Sequence, residues 1–291
     1  MPLTRRLVIL FRNCRSGRTP EARRADYPFR ALQRAINLLS LLLLLIPSPV
    51  FAANPDLETV LKASRQRIET LDYRVTGRLT HSDGSGKRTT YNFAAKAHWF
   101  PDGLKLLTEI TGTGSEKTTL LVNMTATGRV TIEAMLPGEK TATTLPFERW
   151  NDPLVGTDFS YEDMVESQFF WKNQELQPST KFGARDCFVL KSTPTPQDKS
   201  HYDSVTSWID SSVMFPVQVV KTLHGTAQQK QFIYFGLRQT NGIWSAAQVE
   251  AKLPGKPGSS TMVIEAGTPK ANLGPKDFDL SHLGAAAGNA Q

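Results

Sequence analysis

The chain has 291 residues, 34 basic and 27 acidic, for a formal charge of +7. The excess lies in the first 52 residues, which hold nine arginines against Glu21 and Asp26 and leave 25 residues of each sign beyond them. A formally neutral remainder offers no basic footprint for phosphates, which argues against nucleic-acid binding.

The N-terminal segment runs from the arginine-rich stretch into an apolar run, 35–46, and then into Pro47-Ser48-Pro49-Val50-Phe51-Ala52. That order describes a secretory signal peptide, with Val50 and Ala52 at the minus-three and minus-one positions. The apolar run is shorter than the ~20 residues that span a bilayer as a helix. Cleavage after Ala52 is expected, an uncleaved anchor being the alternative. Cys14 departs with the leader and leaves Cys187 alone, so no internal disulfide is expected in an export compartment. The alternating Arg-Asp-Cys-Phe-Val-Leu around Cys187 reads as a strand with a buried thiol. No cysteine follows the apolar run to carry a lipid, so the mature chain is expected to be soluble and periplasmic, with one domain over 53–283.

A helix opens that domain. Asn54 suits the cap and Pro55 the first helical position. Leu57, Val60, Leu61, Ile68 and Leu71 then form one apolar stripe. From Asp72 the period changes to two. Tyr73–Leu79 and Tyr91–Trp99 alternate around Asp83-Gly84-Ser85-Gly86, and 104–111, 117–124 and 129–135 follow as strands. Further on come 186–192, 204–210, 216–223, 231–239, 243–253 and 261–266. These roughly eleven strands favour sequential antiparallel pairing into one strongly curved sheet. The tail, 284–291, is rich in Ala, Gly and Asn and is expected to be disordered.

Several strands, Gln231–Leu237 among them, are apolar on both faces. An antiparallel sheet wet on one side alternates more cleanly. The surplus fits either a hydrophobic cavity inside the curl or a fully packed core.

Few residues suggest chemistry. Gly112–Thr119 departs from a phosphate-binding loop because Glu116 precedes Lys117, and it reads as a hairpin turn. The five histidines are not at metal-ligand spacing, and no Gly-x-Ser-x-Gly elbow occurs. Neither catalytic residues, a metal site nor a cofactor is expected. In Gly156-Thr157-Asp158-Phe159-Ser160-Tyr161-Glu162-Asp163-Met164, Thr157 or Asp158 can cap a short helix through Glu166. Glu162 and Asp163 would then point about 100° apart, which favours a capped helix over an acid pair acting on one substrate atom.

That nine-residue element resembles the Gly-Ser-Asp-Phe-Ser-Tyr-Glu-Asp-Leu element of the outer-membrane lipoprotein-sorting proteins, within the LolA/LolB-like periplasmic lipoprotein-carrier superfamily. Ser207-Trp208-Ile209-Asp210 followed by Phe215-Pro216 and Lys221, the Asn241-Gly242-Ile243-Trp244 turn, and the closing Asn272, Phe278 and Leu283 are similar as well. The resemblance covers essentially the whole mature chain. It implies a mainly β fold with some α, an open antiparallel half-barrel of about eleven strands. The N-terminal helix and a short mid-chain helix capped by Thr157 and Asp158 would form its lid. It implies a cavity for acyl chains, to which Phe93, Trp99, Leu120, Val122, Met124, Phe159, Trp208 and Tyr234 are assigned. The implied function is a periplasmic lipid or lipoprotein carrier, monomeric, in outer-membrane lipoprotein sorting or lipid transport. Its partners would be a lipid acyl chain or lipoprotein and an inner-membrane transporter. The alternative is a sensor or adaptor that uses the same half-barrel to bind an inner-membrane transporter or signalling protein. Lipoprotein carriers place an arginine in the cavity; Arg74 and Arg78 are read instead as solvated strand charges.

Overall fold

The computed structural model describes residues 55–114, 116–240 and 242–280. The signal peptide and its cleavage site, the Asn54 cap and the tail from 284 fall outside the described residues.

Helix α1 spans Leu57–Glu69. Its cap is Asp56, whose carboxylate accepts from the Thr59 amide at 2.8 Å, so Pro55 precedes the cap and does not begin the helix. A carboxylate there satisfies a free amide and sits at the positive end of the helix dipole. Val60, Leu61, Ser64 and Ile68 form the buried face, and Thr70 closes the last turn by donating to the Gln66 carbonyl.

Among the described residues fifteen strands follow. Six run outward from the centre of one sheet: β1 (Asp72–Asp83), β2 (Arg88–Phe100), β3 (Gly103–Thr111), β4 (Lys117–Thr125), β5 (Val130–Met135) and the two-residue β6 (Thr143–Thr144). The chain then crosses to the opposite edge and returns inward through β7 (Asn173–Phe182), β8 (Arg185–Thr193), β9 (Tyr202–Asp210), β10 (Phe215–Leu223) and β11 (Gln229–Phe235). A separate hairpin, β12 (Arg238–Thr240) with β13 (Ile243–Ser245), leads to β14 (Gln248–Lys252) and β15 (Gly258–Pro269), which pairs with β1. The main sheet has thirteen strands, antiparallel throughout, in the order β6-β5-β4-β3-β2-β1-β15-β14-β11-β10-β9-β8-β7. It is an open curved sheet, because β6 and β7 do not meet.

The count exceeds the expectation for three reasons, the first being the two-residue edge strand β6, which no sequence pattern marks. Two expected strands, 231–239 and 243–253, each break in two, the first at Gly236, whose φ of 62° ends β11. The edge strand β7 was not expected: it is polar, and Pro178 falls where its pairing with β8 shifts register. Proline is tolerated at such an edge because it has no ladder hydrogen bond to donate. Gly112–Lys117 forms the β3–β4 hairpin turn, as its sequence suggests.

One face of the sheet carries the main core, to which Leu79, Phe93, Leu106, Val122, Ile132, Leu190 and Val205 contribute. On the other face, Leu107 and Leu121 are covered by Leu273 and Phe278 of the C-terminal segment. At the β1–β15 seam the register shifts at Gly77. A β-carbon there would lie 1.9 Å from the Val263 carbonyl oxygen, so only glycine fits.

The mid-chain helix does not form. Residues 145–172 cross between the sheet edges as single turns of 3-10 helix, at Phe147–Arg149, Leu154–Gly156, Glu162–Met164 and Ser167–Phe170. Thr157 caps nothing: its hydroxyl donates back to the Leu154 carbonyl. Asp158 reaches away to Ser260 of β15. Tertiary partners satisfy the groups that a helix start would have used, and they override the local capping signal. The crossing segment buries Trp150, Leu154, Phe159, Tyr161, Phe169 and Trp171 in the main core.

Candidate functional site

Between the sheet, α1 and the crossing segment lies a hollow of about 520 Å³, within the size range of small-molecule sites. Strands β1 to β3 supply Tyr73, Val75, Phe93, Ala95 and Leu106, and the other meander supplies Phe215, Phe232, Tyr234, Val249 and Met262. The α1 side brings Arg67, Ile68 and Leu71; the crossing segment brings Phe159, Met164 and Val165; the β12–β13 hairpin brings Ile243 and Trp244. Period-two alternation aims these side chains at one face, and the curl of the sheet turns them towards a common space.

Two polar features interrupt this wall. The first is an ion pair between Arg67 of α1 and Glu166, at 2.5 Å. The Arg67 guanidinium lies 5.0 Å above the Phe215 ring and 5.9 Å from that of Phe169. Arg67 Nε and Glu166 Oε1 are buried without a hydrogen-bond partner. Tyr73 and Tyr234 share this corner. By surface area both are only partly buried, because they face the hollow, yet protein atoms crowd their hydroxyls. Burial first, and the Glu166 charge second, push the Tyr73 hydroxyl up to about 12 and raise Tyr234 for the same reasons.

Tyr73 is accordingly expected to ionise near pH 12, not 10, in an alkaline titration followed by phenolate absorbance. Because the folded value is the raised one, its contribution to stability is complete below about pH 10 and is lost as pH climbs towards 12. Tyr73→Phe should remove signal from the late step; loss from the early step would place the hydroxyl in water.

The second feature is Asp163, fully buried at the edge of the hollow. Its carboxylate accepts from Lys221 Nζ at 2.9 Å, Lys230 Nζ at 2.7 Å, the Tyr202 hydroxyl at 2.7 Å and the Ser160 amide and hydroxyl. Burial alone would raise its pKa; the two ammonium groups outweigh this and hold it well below the usual carboxylate range. Glu162 turns elsewhere, accepting from the Ser200 hydroxyl, the His201 amide and the His201 ring. The adjacent acids thus anchor different strand ends and do not form a pair. Among the described residues no group of three or more His, Cys, Asp or Glu could hold a metal ion, and no helix is long and apolar enough to cross a membrane.

Of the residues assigned to a cavity, Phe93, Phe159 and Tyr234 lie on the wall. Leu120, Val122 and Met124 pack within the main core, away from the wall, and Trp99 stacks on Phe170 at 5.8 Å. Trp208 alternates with the buried Ser207 and Ile209 and so points to the other face of the sheet. Arg74 and Arg78 pair at the surface with Asp277 and Glu265. Two arginines line the hollow, Arg67 of α1, beside Ile68, and Arg238 of β12.

A family model described as "Uncharacterized protein" matches residues 118–285, more than half of the chain. No curated protein matches it in sequence. Among solved structures, an outer-membrane lipoprotein-sorting protein domain from Vibrio parahaemolyticus is similar over 79% of this chain and 100% of its own, at 20% identity and a TM-score of 0.70. A DUF1329 family protein from Desulfovibrio piger has 16% identity and a TM-score of 0.67, with 79% of this chain and 100% of its own covered. A LolA superfamily protein from Nitrosomonas europaea has 13% identity and a TM-score of 0.63 over the same shares. At these identities the likeness is one of fold.

Proposed function

The chain belongs to the family whose model spans residues 118–285 and has the fold of the LolA superfamily, and from that premise we propose that it is a periplasmic carrier for lipids or lipoproteins. An acyl chain would lie in the hollow beneath α1 and the crossing segment, against Phe93, Phe159 and Tyr234. The carrier would be a monomer, exported by cleavage after Ala52 with residues 284–291 as a loose tail, and would serve outer-membrane lipoprotein sorting or lipid transport. An inner-membrane transporter is the proposed donor of cargo. The work is reversible burial, with no bond made or broken.

The observation that supports this reading is the hollow itself: aromatic and aliphatic side chains face about 520 Å³ that the protein's own atoms leave unfilled. Each methylene taken from water into such a space contributes about 0.8 kcal/mol, so a long acyl chain supplies enough for stable binding. Release then requires a membrane or receptor that is equally apolar. The protein purified from its native compartment is expected to yield lipid in an organic extract analysed by mass spectrometry, and to bind a fluorescent fatty-acid probe once stripped. An empty extract together with no probe binding would rule the carrier out.

A further inference from the structure

We propose that the hollow selects amphiphiles with an anionic oxyacid head, a carboxylate or a phosphate monoester, and that Arg67 takes this head in exchange for Glu166. The inference rests on the carrier reading and names its class of cargo. It starts from the half-made ion pair. A guanidinium edge offers two parallel donors and can hold two oxygens at once. Arg67 gives one Nη to Glu166, leaving its own Nε and the second oxygen of Glu166 buried and unpartnered. Such groups carry an uncompensated desolvation cost. A head group that meets both donors removes the cost on the arginine and releases Glu166 towards solvent.

The neighbours suit an anion. The hydroxyls of Tyr73 and Tyr234 line the same corner, feel both charges and donate to nothing among the described residues. Both phenols stay protonated under any physiological condition and so remain donors. Each carboxylate of the wall is already matched by a cation: Glu166 by Arg67, Asp163 by both Lys221 and Lys230, and Glu265 by the exposed Arg78, while Arg238, also exposed, has no ion-pair partner among the described residues. The Phe169 and Phe215 rings beside Arg67 hold the guanidinium in place, so little further ordering is needed on binding.

The test uses the full chain and three probes of equal chain length: palmitate, 1-palmitoyl lysophosphatidate and neutral 1-monopalmitoylglycerol, each below its micellar concentration. Displacement of a bound fluorescent probe is expected to favour one or both anionic ligands over the neutral one by at least about tenfold, as a charge-assisted hydrogen bond would give. Comparing the two anions shows whether carboxylate or phosphate fits better. Arg67→Gln should erase the preference and leave the neutral ligand within about twofold. Glu166→Gln should tighten the anionic ligands alone, a gain that misfolding cannot mimic. Equal binding of all three probes by the wild type, or a preference that survives Arg67→Gln, overturns the inference while leaving the carrier standing. Binding of none of them removes both.

Discussion

Asp163→Asn is expected to destabilise the protein by on the order of 3–5 kcal/mol, the usual effect of removing one partner of a buried ionic cluster. Asparagine fills the same space, so packing is preserved and only the charge is lost. Lys221 and Lys230, with side chains 8% and 6% exposed, would then be two ammonium groups facing a neutral amide. Urea unfolding at neutral pH measures the loss, and a midpoint equal to that of the wild type would mean that the lysines find water instead. The triple change Asp163→Leu, Lys221→Met and Lys230→Met should recover most of the stability, because apolar groups of similar volume often replace a buried ion cluster without penalty. The acid limb supplies a second check. The folded pKa of Asp163 lies below the unfolded one, so its contribution is complete above about pH 4 and is lost only as pH falls through the lower, folded value. Asp163→Asn should therefore flatten the wild-type decline in strong acid.

Ala95→Trp is expected to weaken binding of a long-chain fatty-acid probe on the order of a hundredfold. Ala95 sits on β2 and faces the hollow, and an indole there would occupy space otherwise taken by about four methylenes. At about 0.8 kcal/mol each, the loss approaches 3 kcal/mol, or about two decades in affinity. The unfolding midpoint should change little, because the new ring enters empty volume and displaces no packed atom. Undiminished affinity would show that the probe binds outside the hollow.

The strands were legible in the sequence because alternation needs only local information, whereas the cavity residues were assigned through the family resemblance. Alternation gives the face of a side chain but not its depth, so Leu120, Val122 and Met124, on the same face as the wall residues, were assigned to a cavity when they fill the core. Trp208 was misplaced for the opposite reason: its neighbours Ser207 and Ile209, not the tryptophan, face inward. The crossing segment misled most. Thr157, Asp158, Glu162 and Asp163 carry the chemistry of a helix start, and the partners that claim Asp158, Glu162 and Asp163 lie far along the chain, at Ser260, His201, Lys221 and Lys230. Arg67 was overlooked because an arginine beside an apolar stripe usually reaches water. Only the arrival of Glu166 and Phe215 shows that it does not.

The seam between β1 and β15 bears on how the chain is made. Tyr73 pairs with Pro269, so the two meanders join into one sheet only when the last strand is present. Joining ends so distant in sequence is entropically costly and slow. A nascent chain that has not yet delivered residue 269 cannot close this seam, so the junction of the two meanders is a late event of folding.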